Sequence, residues 1–286
     1  MVAWAMRRLF LAALLIATPA LAFPPSPDEV VKAAPKSDWH KLDPNNLLVM
    51  ELPTGRVVIE LAPAFAPRTI ANIRKLVHDG YFNSHAAITR SQDNYVVQWS
   101  RDPEPPPGKG WVEYERPRQP SFRPLKDRDT YAAEAGFDGD FPAASDGKRE
   151  WLVHCYGMVG VGRDLAPDTG TGAELYAVTG QAPRHLDRNI TLAGRVVEGM
   201  QLLSSLPRGS GAMGFYARPG ERLPIRAIRL ASEMPAAQQP RLEALAGPSF
   251  DRYVEARRNR GGPFFIRPAG HIDVCNLPLP VRPLTP

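Results

Sequence analysis

The stretch APRTIANIRKLVHDGYFNSHAAITRSQDNYVVQ, residues 66–98, decides the fold of this chain of 286 residues. Its first third predicts a helix from Pro67 to about Asp79, because proline is favoured at the first helical position and Gly80 stops the pattern. Apolar residues recur at three-residue spacing along this helix: Ile70, Ile73 and Leu76. Such a face is typical of a helix that packs over one end of a sheet.

The second half of the stretch predicts two short apolar strands, at Ala86–Ser91 and 95–99. Arg90 on the first strand precedes Gln98 on the second by eight residues. A guanidinium and an amide on neighbouring strands, beside apolar side chains, can hold a peptide backbone next to an apolar residue. This stretch therefore predicts a peptide-binding face, with Arg90 as the candidate for chemistry.

Short strands continue on both sides of this stretch. Residues 46–61 predict a hairpin around Pro53-Thr54-Gly55, which has turn chemistry. Later segments predict strands at 151–154, 157–161, 174–179, 191–197 and 225–231, and a short helix at 198–206. Many short strands with only two helices in this part, and no internal repeat, indicate an all-β barrel or sandwich.

Residues 1–22 have the pattern of a cleavable secretory signal peptide. Arg7 and Arg8 precede a short apolar run, and small residues follow at Ala20 and Ala22. The run is well short of the ~20 apolar residues that a spanning helix needs, so cleavage after Ala22 is favoured over a membrane anchor. We therefore expect an exported protein that is soluble and leaves the membrane after cleavage. It would be periplasmic if the source has two membranes and secreted otherwise.

Three further segments lie outside the strand pattern of the central domain, 46–235. Residues 23–45 form a lead-in whose proline-bearing first part we expect to be poorly ordered. Residues 103–149 are rich in proline and polar residues and predict a long loop insertion, with 130–134 as its best strand candidate. Residues 236–286 predict a C-terminal helical extension, with helical pieces near 241–245 and 250–258.

The charge of the chain argues against a nucleic-acid partner. Removing the two leader arginines takes Lys+Arg from 35 to 33 against 30 Asp+Glu, a formal charge of +3. The basic residues are also dispersed, and the densest group, between Arg252 and Arg260, is typical of a solvated helix face. We expect a monomer.

Cys155 and Cys275 are the two cysteines of the chain. In an oxidising compartment they most simply form one disulfide. It closes a loop of about 120 residues, and the chain-entropy model gives it a contribution of roughly 4–5 kcal/mol to the free energy of unfolding. A thiol–imidazole pair of Cys155 with His154 is the weaker interpretation, because adjacent strand residues point to opposite faces.

Over roughly residues 46–233 the chain resembles the cyclophilin-type peptidyl-prolyl cis–trans isomerases. Four pieces in the family's order carry the resemblance: GRVVIEL at 55–61, APxTxxN at 66–72, the strand pair with Arg90 and Gln98, and LD at 186–187 followed by AGRVVEGM at 193–200. The resemblance implies a mainly β fold, an eight-stranded antiparallel closed barrel capped by two α-helices. It also implies binding of proline-containing polypeptides on the outer face, without a cofactor.

The resemblance implies roles for individual residues. Arg90 is the expected catalytic donor to the proline nitrogen, and Gln98 holds the substrate carbonyl or orients Arg90. The proline pocket is lined by Tyr95, Val96, Tyr176 and Leu186. For these four residues plain barrel core is the alternative, equally good for Val96, and for Arg90 it is a surface arginine at a strand edge.

The groove departs from the family's usual sequence at several positions. Residues 88–90 read Ile-Thr-Arg where Phe-His-Arg is usual. Glu174 replaces a glutamine, His185 replaces a tryptophan, and Arg163, after Gly162, stands where a small asparagine offers backbone contacts. We count Gly162, Arg163, Glu174 and His185 among the candidate substrate-binding residues.

Two other classes of function compete with the isomerase. A non-catalytic proline-peptide-binding or scaffold module on the same barrel is favoured by Thr89 and Glu174, whereas Arg90 and Gln98 favour the enzyme. A hydrolase finds little support, because the chain has no Gly-x-Ser-x-Gly motif. No metal site is expected, since the six histidines lack zinc-ligand spacing: His40, His78, His85, His154, His185 and His271.

Overall fold

The structure, a computed structural model, describes residues 24–83, 85–101, 109–261 and 264–284. The expected signal peptide and the first residues of the insertion lie outside these ranges. Within them the α-helices are α1 Pro27–Ala33, α2 Pro67–His78, α3 Met200–Ser204 and α4 Gly247–Arg258. None of the helices in the described ranges has the length and apolar character needed to cross a membrane.

The described strands form three antiparallel sheets. In chain order they are β1 Trp39–Lys41, β2 Leu47–Leu52, β3 Gly55–Leu61, β4 Ala86–Ser91, β5 Val96–Arg101, β6 Arg116–Pro117, β7 Phe122–Pro124, β8 Glu134–Asp138, β9 Phe141–Ser145, β10 Arg149–Leu152, β11 Met158–Val161, β12 Glu174–Val178, β13 Leu192–Glu198, β14 Leu223–Ile225, β15 Ala227–Leu230, β16 Leu242–Leu245 and β17 Val281–Pro283.

The largest sheet is a nearly closed barrel in the order β14-β4-β5-β12-β11-β13-β3-β2-β15. The mainly β barrel predicted from the sequence is confirmed, with nine strands instead of eight because the short β14 pairs with β4. Strand alternation fills the barrel: Met50, Ile59, Val97 and Trp99 all point inward and are fully buried. Helix α2 covers one end with Ile70 and Ile73, as its spacing predicts.

The insertion is not the long loop that we expected. It contributes a second sheet in the order β6-β10-β9-β8-β7, and the strand candidate at 130–134 is wrong because β8 begins only at Glu134. Strand β10 also belongs to this sheet and not to the barrel. Its short strands are joined by tight turns rich in proline and glycine, so the composition of this segment resembles that of a loop.

The insertion also supports the barrel directly. The carboxylate of Glu113 accepts hydrogen bonds from the backbone N–H groups of Arg68, at 3.0 Å, and Thr69, at 2.9 Å, in the first turn of α2. These N–H groups have no partner within the helix, and a negative charge is favourable there. Burial alone would raise the pKa of Glu113, but the hydrogen bonds from Thr69 and Arg68 outweigh it and lower that pKa.

The lead-in and the C-terminal extension are ordered against the insertion. Ser26 and Glu29 form a capping box at the start of α1, so the expectation of poor order is wrong from there onward. The expected helical piece at 241–245 is strand β16, which lies between β1 and β17. We call α1, β1, the five-stranded sheet β6–β10 and residues 242–283 the accessory lobe.

The accessory lobe has its own apolar core, drawn from all three segments. Val30 and Trp39 come from the lead-in, Phe137 from the insertion, and Phe250 and Val274 from the C-terminal extension. The expected disulfide between Cys155 and Cys275 is present and joins the segment after β10 to this extension. Segments that are far apart in sequence therefore fold as one unit.

Replacing Phe250 by alanine tests this core. The Phe250 side chain is 3% exposed and its ring centre lies 5.0 Å from that of Phe137. We expect Phe250→Ala to lower the free energy of unfolding by about 3–5 kcal/mol in urea titrations. The matched control is Phe264→Ala, in the same extension but 85% exposed, which should change it by about 0.5 kcal/mol or less. Equal small effects would mean that the extension does not pack into the core of the lobe.

Candidate active site

A row of residues crosses four neighbouring barrel strands at one level. Arg90 of β4 pairs with Gln98 of β5, Gln98 with Tyr176 of β12, and Tyr176 with Gly160 of β11. Directly opposed residues of antiparallel strands point to the same face of the sheet. Because Val97 points into the barrel, the row lies on its outer face.

A β-bulge directs Arg90 to that face. Ile88 pairs with Trp99 and Arg90 with Gln98, so Thr89 is one extra residue in β4. Ile88 points into the barrel, and simple alternation would send Arg90 inward after it. The bulge reverses this direction and places the guanidinium on the outer face beside Gln98. Bulges near active sites often redirect a side chain in this way.

The Arg90 guanidinium is fixed from several sides. It donates to Gln98 Oε1 at 3.0 Å, to the Met213 carbonyl at 2.7 Å and to the Gln92 side chain. The rings of Tyr95 and Phe215 lie with their centres 5.5 and 5.2 Å from its central carbon. Burial lowers the pKa of Arg90, but an arginine starts so high that it stays charged at neutral pH.

Met213 and Phe215 were missed by the sequence analysis. They belong to the segment 207–217, which crosses β4 through hydrogen bonds from Gly209 N to Ser91 O and from Tyr216 N to Thr89 O, both 2.9 Å. The segment is rich in glycine and has no strand or helix pattern. No local signal marks it as part of the site.

A cavity of about 490 Å³ extends from Arg90 along the outer face. Nine of the ten predicted catalytic and substrate-binding residues line it: Arg90, Tyr95, Val96, Gln98, Gly162, Arg163, Glu174, Tyr176 and Leu186. The tenth, His185, does not. Its exposed side chain lies in a separate depression with Tyr131, Trp151 and Arg188, because the 3-10 turn Arg184–Leu186 sends neighbouring side chains in different directions.

The comparisons with known proteins agree with this geometry. Residues 47–229 match the family described as cyclophilin type peptidyl-prolyl cis-trans isomerase/CLD. The chain belongs to this family. Proteins described as probable peptidyl-prolyl cis-trans isomerases from Brucella suis and Brucella abortus are each 28% identical over 174 residues, which cover 59% of this chain and 76% of theirs.

A solved cyclophilin extends the likeness beyond the family domain. The crystal structure of cyclophilin AquaCyp293 from Hirschia baltica superposes with a TM-score of 0.68 at 25% identity, and covers 85% of this chain and 92% of its own. That share exceeds the span of residues 47–229. Part of the chain outside the cyclophilin domain therefore has a structural counterpart in this relative.

The side of the groove opposite Arg90 is charged in this cyclophilin. Arg163 donates to the carbonyls of Asp164, at 2.7 Å, and Asn189, at 3.1 Å, so its guanidinium covers the rim. Glu174 lies against the backbone of Gly162, where an added Cβ would come within 2.6 Å of its carboxyl carbon. The groove thus presents both signs of charge around an apolar floor.

Behind the groove lies a buried imidazole. His154 Nε2 is 2.8 Å from the Tyr176 hydroxyl, and His154 Nδ1 is 2.9 Å from Asp187 Oδ1. Burial lowers the pKa of His154, against the opposing effect of Asp187, and burial raises the pKa of Tyr176 well above its usual range. Both groups are therefore neutral at pH 7.

A larger cavity, about 680 Å³, lies in the accessory lobe between α1, α4 and β7. Its lining is mostly apolar, and none of the predicted site residues lies in it. In the described part of the chain, no three His, Cys, Asp or Glu residues are grouped so that they could hold a metal ion.

Gly160 offers a direct test of the groove wall. The Tyr176 ring lies over Gly160, and an added Cβ there would come within 2.2 Å of the ring carbon Cζ and the hydroxyl. We expect Gly160→Ala to displace the ring, to lower the free energy of unfolding by about 1–3 kcal/mol and to weaken peptide binding. Urea titration and a peptide-binding titration measure the two effects.

Gly220→Ala is the matched control, because an added Cβ at Gly220 meets nothing within 4 Å. It should leave stability and peptide affinity unchanged. Wild-type behaviour of Gly160→Ala would contradict the placement of Tyr176.

Proposed function

We propose that this cyclophilin isomerises X–Pro bonds in exported polypeptides, with Arg90 as the donor that stabilises the twisted amide. The observation that carries the proposal is that hydrogen bonds fix the Arg90 guanidinium at the edge of an apolar pocket. Its hydrogen bonds to Gln98 and to the Met213 carbonyl fix its position before a substrate arrives. A preorganised donor is effective because it need not reorganise during the reaction.

The chemistry follows from the electronic structure of the amide. Rotation about an X–Pro bond faces a barrier near ~18–20 kcal/mol because resonance is lost in the twisted form. The proline nitrogen then becomes pyramidal and gains a lone pair. Arg90 can donate to this lone pair only in the transition state, which is differential binding of the kind that raises a rate. No covalent bond to the protein and no cofactor is needed.

Gln98 can serve both expected roles at once. Its Oε1 accepts from Arg90 and so orients the guanidinium. A side-chain amide has two N–H donors besides this acceptor, and these can hold the substrate carbonyl. The pyrrolidine ring would lie against Val96 and Tyr176, which form a small apolar cluster with Val178 on the outer face of the barrel.

The charged rim supports polypeptide substrates. Arg163, Asp164 and Glu174 surround the apolar floor and can contact the peptide on either side of the proline. A substrate chain that runs along the groove would meet these charges, whereas a free proline would not reach them. Substrates are therefore proline-containing segments of unfolded or flexible chains.

Arg90→Ala tests the mechanism in an isomerase assay on a proline tetrapeptide. We expect kcat/KM to fall about 100-fold to 1,000-fold, the loss typical of removing one preorganised donor. Arg101→Ala is the control, because Arg101 is exposed on the same strand pair and lies outside the groove. It should retain the wild-type rate.

Two results would overturn the enzymatic proposal. One is a wild-type protein that binds the tetrapeptide but isomerises it no faster than the uncatalysed reaction. This would favour the non-catalytic binding module to which Thr89 and Glu174 point. The other is an Arg90→Ala variant with full activity.

Export is supported by the leader pattern of residues 1–22 and by the disulfide, which is favoured in oxidising compartments. When the chain is expressed in a bacterium with two membranes, we expect a periplasmic product that begins at Phe23. Intact-mass measurement and N-terminal sequencing identify it. In the Ala22→Arg variant, which lacks the small residue at the expected cleavage site, the leader should stay attached. A wild-type product that starts at Met1 and stays in the cytoplasm would contradict export.

A further inference from the structure

A buried chain of polar side chains runs from the groove into the accessory lobe. From Tyr176 and His154 it continues to Asp187, whose Oδ2 lies 2.5 Å from Arg184 Nε. Arg184 in turn makes two parallel hydrogen bonds to Asp129, at 2.9 and 3.0 Å. We call these five residues the buried polar chain. None of them takes part in the chemistry proposed above, apart from the ring of Tyr176 in the pocket.

The hydrogen bonds fix the direction of the Tyr176 hydroxyl. Asp187 Oδ1 is a carboxylate oxygen beside Arg184 and accepts from the His154 backbone N–H at 2.9 Å, so Nδ1 of the imidazole carries its hydrogen. In a neutral imidazole the other nitrogen, Nε2, is then an acceptor. The Tyr176 O–H therefore donates to His154, and its ring is held across Gly160.

The other end of the buried polar chain is held by the accessory lobe. Asp129 belongs to the insertion, which supplies the five-stranded sheet. His154 directly precedes Cys155, which is bonded to Cys275 of the C-terminal extension. The insertion is thus linked to the imidazole through Asp129, Arg184 and Asp187. The extension is linked to it through the disulfide of the neighbouring Cys155.

We propose that His154 is a positioning residue of the isomerase: it holds the Tyr176 ring as a fixed wall of the proline pocket, and through it the accessory lobe sets the shape of that pocket. The proposal rests on the proposed function insofar as Tyr176 contacts the proline. The Tyr176 ring lines the groove, and without a partner for its hydroxyl it has alternative rotamers. Fixing one of them before binding removes an ordering cost that the substrate would otherwise meet.

A double-mutant cycle tests the proposal. His154→Phe keeps a ring of similar shape but removes both nitrogen partners. We expect KM for a proline tetrapeptide to rise about 5-fold to 10-fold while kcat stays within about twofold, because Arg90 and Gln98 are untouched. In a Tyr176→Phe background, which lacks the hydroxyl, the same substitution should change KM less than twofold. His154→Gln, which can both donate and accept, should restore part of the affinity.

A pH profile supplies a second readout. The groups that face His154 are Asp187, Arg184, His185 and the Tyr176 hydroxyl. As the pH falls below about 6.5 toward the lowered pKa of His154, Nε2 gains a hydrogen and can no longer accept from Tyr176. Wild-type KM should rise over this range, and that of Tyr176→Phe should not. This comparison also decides the matter if His154→Phe does not fold.

Arg258→Gln controls for general loss of stability. Arg258 is buried in the same lobe and pairs with Asp127, outside the buried polar chain. The Arg258→Gln substitution should lower the unfolding temperature and leave KM unchanged. The proposal is overturned if His154→Phe folds with wild-type KM, if KM rises equally in both backgrounds, or if Arg258→Gln raises KM as much.

Tetrapeptide affinity is measured by titration on the same variants. If the wild type binds the tetrapeptide without turnover, the proposed isomerase mechanism fails. The affinities still decide the role of His154, because His154→Phe should weaken binding in the wild-type background and not in the Tyr176→Phe background. Normal turnover with unchanged affinities would overturn the positioning role and leave the isomerase intact.

Discussion

The site depends on the single extra residue in β4. The side chains of a strand alternate between two faces, so one residue more or less reverses every position that follows. Ile88 must point into the barrel to pack with Trp99, and Arg90, two residues later, would follow it inward. The bulge at Thr89 resolves this conflict between core packing and chemistry. It lets one strand supply a buried isoleucine to the core and a cationic donor to the outer face.

The second constraint is the amount of apolar surface on the outside of the barrel. The outer face of β2 and β3 carries Leu47, Val49 and Val58, which are buried by β16 and its neighbours. Met158 and Leu192, at the start of β11 and β13, belong to the core of the accessory lobe. Burial of such surface is worth roughly 25 cal/mol per Å², so barrel and lobe stabilise each other. One part of the outer face stays open, the groove beside Arg90. There charged and polar side chains, together with the exposed Met213, surround a small apolar floor.

The barrel and the pair Arg90 and Gln98 could be predicted from the sequence because their signals are local. Helix α2 has apolar residues at helical spacing after a proline, and the pair Arg90 and Gln98 lies on two strands joined by a tight turn. The accessory lobe could not be predicted. Its strands are two to five residues long and lie among prolines. The four residues of β16 show no clear period, so their sequence also fits a helical piece. His185 was misplaced for a related reason, since position in a motif does not state which way a side chain leaves a 3-10 turn.

The sequence by itself determined the family, the barrel and the arginine–glutamine pair, because each depends on residues close together along the chain. It also determined the two cysteines that could pair. Only the tertiary structure decided that the lead-in, the insertion and the extension form one lobe, because their shared core joins residues as distant as Val30 and Val274. It also decided that Phe215 contacts Arg90 and that His154 reaches Tyr176 behind the groove. These contacts depend on the closure of the sheet and on long-range packing, which leave no periodic signal in the order of the amino acids.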